Sequence, residues 1–231
     1  MQVFNTIKRA LKWIVGAFFA STILSVIVLR FVPVYFTPLM FIRVAEQMKE
    51  GREVKLSHHW VSMEQISSHM PVAVIGSEDG NFMNHHGFDF KAIQGAMKRN
   101  REHPEKNKLG ASTISQQTAK NVFLWPGRSW VRKGLEFYFT TLIELFWSKQ
   151  RIMEVYLNSI EMGEGIYGVE AVAREHFETT ADKLTKEQCA LIAATLPNPR
   201  KFSSKTPSSY TLKRQKRIIR EMNYVKSFPE Q

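Results

Sequence analysis

Hydrophobic and polar positions divide this 231-residue chain into an apolar N-terminal stretch, a short proline-broken segment and a long region of helical periodicity. From Trp13 to Leu29 the run WIVGAFFASTILSVIVL carries no charge. At about 1.5 Å per residue it nearly matches the ~30 Å hydrocarbon thickness of a bilayer. Arg30 can direct its head group to the interface, so residues 13–32 read as a transmembrane helix. Lys8, Arg9 and Lys12 lie in the short tail 1–12, which the positive-inside rule places in the cytoplasm, with the rest of the chain outside. A cleaved signal peptide is the alternative. The length of the run, and the lack of an A-x-A-like site in RFVPVYFTPLMFIRV, weigh against it.

Pro33 and Pro38 interrupt a continuous helix, which makes residues 33–56 a juxtamembrane connector. Tyr35, Phe36, Leu39, Met40, Phe41 and Ile42 make it unusually apolar. Either it lies in the membrane interface or it caps the core of the following domain. Residues 57–202 are mostly helical in pattern. Ile143, Phe146 and Trp147, then Ile152, Val155 and Tyr156, recur at the spacing that gathers side chains on one helix face. Ser112 or Thr113 suits an N-cap for a helix through Val122, ended by Trp125-Pro126-Gly127, and Pro197 and Pro199 close a helix that starts near Thr185. Residues 203–231 form a basic tail containing KRQKRIIREM, which reads as a solvated face or as a headgroup-binding run.

Charge narrows the partners. Lys plus Arg number 32 against 21 Asp plus Glu, a net +11, so the surface attracts phosphates, anionic lipid headgroups or nucleic acid without choosing among them. The absence of glycine-rich phosphate loops disfavours nucleotide chemistry. The lone Cys189 sits in an apolar run and reads as a core residue.

Residues able to do chemistry concentrate in a few stretches. SEDGNFMNHHGFD places Glu78 and Asp79 at the edge of an apolar segment beside Phe82 and His85. Such a carboxylate is partly desolvated, the setting of a general base, although acidic residues before Gly-Asn also make an ordinary turn. GASTISQQTAKN gathers Ser112, Thr113, Gln116, Gln117, Lys120 and Asn121, whose donors suit phosphate or sugar hydroxyls as well as a helix start. In RKGLEFYFTTLIE, Arg132 and Lys133 share a helix face with Glu136. Such groups make either exposed salt bridges or a cationic clamp for a leaving group. In KQRIMEVYLN, Glu154 and Asn158 sit one turn apart, where packing and pairing is the better reading.

In this order and spacing, these stretches resemble the motif series of the peptidoglycan glycosyltransferases. E-D-x-x-F-x-x-H-x-G is met by Glu78, Asp79, Phe82, His85 and Gly87, and G-x-S-T-I-x-Q-Q-x-x-K-N by Gly110 through Asn121. R-K-x-x-E falls at Arg132, Lys133 and Glu136, and K-x-x-I-x-E-x-Y-L-N runs from Lys149 to Asn158. The similarity spans about Val72 to Pro199. Ala111 and Ser115 depart from the commonest residues without removing a proposed catalytic group. With little chain beyond, the resemblance is to the monofunctional branch.

It implies a mostly α fold: a transmembrane helix, then a lysozyme-like all-helical domain with a larger lobe and a smaller membrane-proximal one. It also implies glycan polymerisation from lipid II and a lipid-linked chain at the bacterial inner membrane, the domain being periplasmic. Glu78 and Glu136 are then the catalytic residues, Glu78 as the general base and Glu136 orienting the cations and substrate. Asp79, Phe82, His85, Ser112, Thr113, Gln116, Gln117, Lys120, Asn121, Arg132, Lys133 and Asn158 would contact substrate. No cofactor is required, though Mg or Mn could assist at the diphosphate. Membrane lipids and other cell-wall or division proteins are the expected partners, and nucleic acid is not. A lysozyme-like lytic glycosidase and a non-catalytic periplasmic scaffold are the alternatives.

Overall fold

A computed structural model describes residues 2–105, 108–127, 129–225 and Phe228. Contacts divide the chain into two compact units, Met1–Pro33 and Val34–Gln231. The first is built on α1 (Gln2–Leu29). An 18-residue window within Phe4–Leu29 of this helix has a mean hydropathy of 2.0, making it the one helix among the described residues long and apolar enough to cross a membrane. The helix begins well before Trp13, so the short basic tail is its first turns and not a separate segment.

The second unit is mostly helical. α2 (Pro38–Lys49) starts with Thr37, whose side chain accepts from the Met40 N–H, and with Pro38 at the first helical position. Pro38, expected to interrupt a helix, here begins one, because its missing N–H is not needed there. The connector is therefore half helix, and its apolar residues divide between the core and the surface. Leu39 and Met40 are buried and cluster with Tyr167, while Tyr35, Phe36 and Phe41 are exposed.

After the short strand β1 (Ser57–His58) come α3 (His69–Glu78) and α4 (Phe90–Glu102). Then follow α5 (Ile114–Phe123), α6 (Trp130–Phe146) and α7 (Lys149–Ser159). Strands β2 (Glu161–Gly163) and β3 (Ile166–Tyr167) lead to α8 (Val169–Phe177), α9 (Lys186–Thr195) and α10 (Ser209–Met222). The small sheet has the order β1-β3-β2, with β1 parallel and β2 antiparallel to β3.

Two helix groups make the core. α5 packs on α6 and α7, whose Ile143, Ile152, Val155 and Tyr156 are buried as the periodicity predicts. α3 packs on α9 and α10. In α9 every residue from Cys189 to Thr195 is buried, and that burial pushes the Cys189 thiol up to about 12. The segment after residue 202 is not a tail. α10 turns Thr211, Ile218 and Met222 into the core while Lys213, Lys216, Arg217 and Arg220 face out. Its basic residues mask an apolar stripe, and that stripe makes the helix part of the domain.

Candidate active site

Glu78 is the last residue of α3, and Asp79 caps it. The buried Val74 and Ile75 fix that helix end against its neighbours, and the chain turns so that Glu78 and Asp79 point to different environments. Asp79 is buried. Its carboxylate accepts from His85 Nε2 at 2.9 Å and from the Ile114 N–H at 2.9 Å. His85 Nδ1 accepts the Gly87 N–H at 3.1 Å, which requires a lone pair there and so leaves the proton on Nε2, facing Asp79. Thr113 caps α5 in a capping box with Gln116 and donates to the Gly87 carbonyl at 2.7 Å. Together these bonds pin the 79–89 loop to the start of α5.

These bonds redistribute the predicted site residues. Asp79, His85, Thr113 and Gln116 have internal partners, and Phe82 is fully buried with Lys149 Nζ 4.6 Å over its ring. Asn158 is also fully buried, bonding the Val61 N–H and C=O and the Glu154 carbonyl. These six hold the scaffold together: Phe82 by packing, the others through internal hydrogen bonds. Asp79 and Thr113 still touch the edge of one cavity.

Most of the remaining residues border open space. A cavity of about 550 Å³ is lined by Ser112, Gln117, Lys120, Asn121 and Arg132. A second, of about 310 Å³, is lined by Glu78, Gly110, Ser112 and Thr113. Ser112 borders both. Glu78 opens on the smaller one, and its Oε2 accepts from Gln117 Nε2 at 3.3 Å, on the wall of the larger. Gln117 Oε1 in turn accepts from Tyr156 Oη at 3.2 Å. Burial, with the negative charges of Glu78 and Asp79 added, pushes the Tyr156 phenol well above its usual range. Tyr156 therefore stays a donor and orients the Gln117 amide toward Glu78.

Cations collect on the larger cavity. Burial holds the Lys120 ammonium below its usual value; the charge of Glu136 opposes that shift, whereas Arg132 and Lys133 reinforce it. Arg132 Nη1 donates to Glu136 Oε2 at 2.8 Å, and Lys133 pairs with the other oxygen of the same carboxylate. Glu136 is itself buried and lines neither cavity; its carboxylate holds the two cations.

A sequence profile of the transglycosylase family matches residues 45–223. The chain belongs to that family. The match takes in α10, in accord with the packing of that helix into the domain. A biosynthetic peptidoglycan transglycosylase of Bacteroides thetaiotaomicron is 63% identical over 226 residues, covering 96% of this chain and 90% of that protein. One from Bdellovibrio bacteriovorus is 54% identical over 211 residues, 90% of this chain and 84% of the relative. One from Caulobacter vibrioides is 51% identical over 216 residues, 92% and 91% of the respective lengths.

Some wall residues of this transglycosylase domain escaped the sequence reading. Arg43 of α2 and Glu161 of β2 also line the larger cavity, their Nε and Oε2 atoms 3.4 Å apart. Burial pushes the Glu161 carboxyl up, against the pull of Arg43. Nothing in the order of residues brings position 43 next to position 161; only the packing of α2 does. Among the described residues no three His, Cys, Asp or Glu side chains gather into a group that could hold a metal ion.

Proposed function

We propose that this chain polymerises peptidoglycan glycan strands, joining a lipid-linked growing chain to lipid II. The observation that carries the reading is the placement of Glu78 beside one cavity and, through Gln117, against a second whose wall holds Lys120 and Arg132. A carboxylate next to a cationic pocket suits a reaction in which a hydroxyl loses a proton while a diphosphate departs.

In this reading the donor lies in the larger cavity with its diphosphate toward Lys120 and Arg132. The acceptor presents its GlcNAc 4-hydroxyl to Glu78. Glu78 takes the hydroxyl proton as the oxygen forms its bond to C1 of the donor MurNAc, and the C1–O bond to the polyprenyl diphosphate breaks with its electrons on the leaving oxygen. The α-linked donor becomes a β-1,4 product, an inversion. The leaving group departs as an anion, so no second carboxyl acid is needed, unlike in a glycosidase.

α1 anchors the enzyme, and Lys8, Arg9 and Lys12 favour a cytoplasmic N-terminus with the domain on the outer face of the inner membrane. The exposed Tyr35, Phe36 and Phe41 suit the interface. Holding enzyme and lipid substrates in one membrane replaces a three-dimensional search by proximity. Purified full-length protein incubated with labelled lipid II in vesicles tests the reading. Lengthening of the labelled chain supports it; shortening of preformed glycan with no lengthening supports a lytic enzyme instead.

A further inference from the structure

The basic face of α10 has one cation that turns inward. Arg214, its side chain only 16% exposed, brings Nη2 to 3.6 Å from Glu78 Oε1 and donates to Ser77 Oγ at 3.1 Å. Ser77 Oγ in turn donates to the same Glu78 oxygen at 3.1 Å, the shorter of its two acceptor contacts, the other being the Ala193 carbonyl at 3.4 Å. Among the described residues Glu78 is the only acid within 4.0 Å of Arg214, and Arg214 Nε is buried without an acceptor. Arg132, Lys133, Lys149 and Arg151 are likewise each matched to one carboxylate, that of Glu136, Glu144 or Glu154, which leaves Glu78 to Arg214. The charge of Arg214 is thus directed at one carboxylate.

That carboxylate needs it. Glu78 closes α3, where the helix dipole concentrates partial negative charge and disfavours an anion. A guanidinium arriving from another helix offsets this, and its donation to Ser77 polarises the hydroxyl that Ser77 offers to Glu78. Both influences fall on Oε1. Among the described residues Oε2 receives one hydrogen bond, from Gln117 at 3.3 Å, and keeps a lone pair for an incoming proton.

We infer that Arg214, acting through Ser77 and through its own charge, is a positioning residue that fixes Oε1 of Glu78 and leaves Oε2 as the proton-accepting oxygen. This rests on the reading of Glu78 as the base. It also gives the C-terminal helix a place in the chemistry.

The test compares Arg214→Gln, Arg214→Lys, Ser77→Ala and Glu78→Gln in the full-length enzyme, measuring kcat, KM for lipid II and Tm. Arg214→Gln is expected to lower kcat by roughly 10–100-fold, the scale of a misplaced catalytic group, with KM within about twofold. Arg214→Lys keeps the charge and should recover most of that loss, which a purely structural role would not produce. Ser77→Ala should lower kcat too, and the Ser77→Ala/Arg214→Gln double variant should lose less than the product of the two effects, because they share one path. A kcat for Arg214→Gln within twofold of the parent, or an Arg214→Lys enzyme no better than Arg214→Gln, would overturn the inference. If Arg214→Gln does not fold, Ser77→Ala decides, and an unchanged kcat there overturns it. An active Glu78→Gln enzyme removes the base and this inference together, whereas an inactive one beside an unimpaired Arg214→Gln removes this inference alone.

Discussion

Asp79 Oδ2 accepts the backbone N–H of Ile114 at 2.9 Å, joining the residue after Glu78 to the first turn of α5. That N–H has no partner within its own helix, and a negative charge there is favoured by the helix dipole. Asp79→Asn keeps the size but removes the charge and leaves a donor facing either His85 or Ile114. We expect a stability loss of roughly 1–3 kcal/mol, the cost of a buried polar group left unmatched. Urea unfolding checks it: the midpoint should fall while the slope stays constant. Activity should fall as well, since the neighbouring Glu78 loses its fixed mount.

Gly87 occupies φ +88°, and a Cβ added there would meet Thr140 Cγ2 at 2.8 Å. Both the left-handed backbone and the contact with α6 oppose a side chain. Gly87→Ala is expected to destabilise by about 1–3 kcal/mol, the range for a residue held in a sparsely populated conformation. A matched Gly80→Ala variant, where nothing lies within 4 Å of the new Cβ, should cost less in the same melting experiment.

Lys120 supplies the pH dependence. Burial holds its ammonium below the usual 10.5, so the charge that would face a diphosphate is lost as pH rises through that lowered value. Binding of a diphosphate-bearing lipid should therefore weaken on the alkaline side. Lys120→Arg keeps its charge across that range, and the weakening should recede to higher pH. Titration of the lipid into vesicle-held enzyme at several alkaline pH values measures both curves, and identical curves for the two proteins would assign the loss to another group.

Much of this arrangement is legible in the order of residues because it is local. A capping box at Thr113 and Gln116 needs only their spacing, and the pairing of Arg132 with Glu136 needs only one helical turn. The motif series likewise brought Glu78, Gln117, Lys120 and Arg132 into one hypothesis. What stayed hidden depends on packing between distant elements. Arg43 meets Glu161, and Arg214 meets Glu78, only because α2 and α10 dock where they do. The charged face of α10 also outweighed its Thr211, Ile218 and Met222 stripe in the reading, so an integral helix looked like a solvated tail. Phe82, His85, Gln116 and Asn158 stand in the motifs beside the reactive groups, yet burial assigns them to holding the loop and helices in place.

Glu78→Gln is the most direct test of the central claim, since it keeps the side chain's shape and its acceptor for Ser77 while deleting the proton-accepting carboxylate. Glycan synthesis from labelled lipid II, measured beside lipid II binding to the same protein, separates chemistry from recognition. The expected result is a fall in polymerisation of at least about 100-fold, the lower end for loss of a general base, with binding within a few-fold of the parent. Near-normal polymerisation by that variant would contradict the assignment of Glu78 as the base.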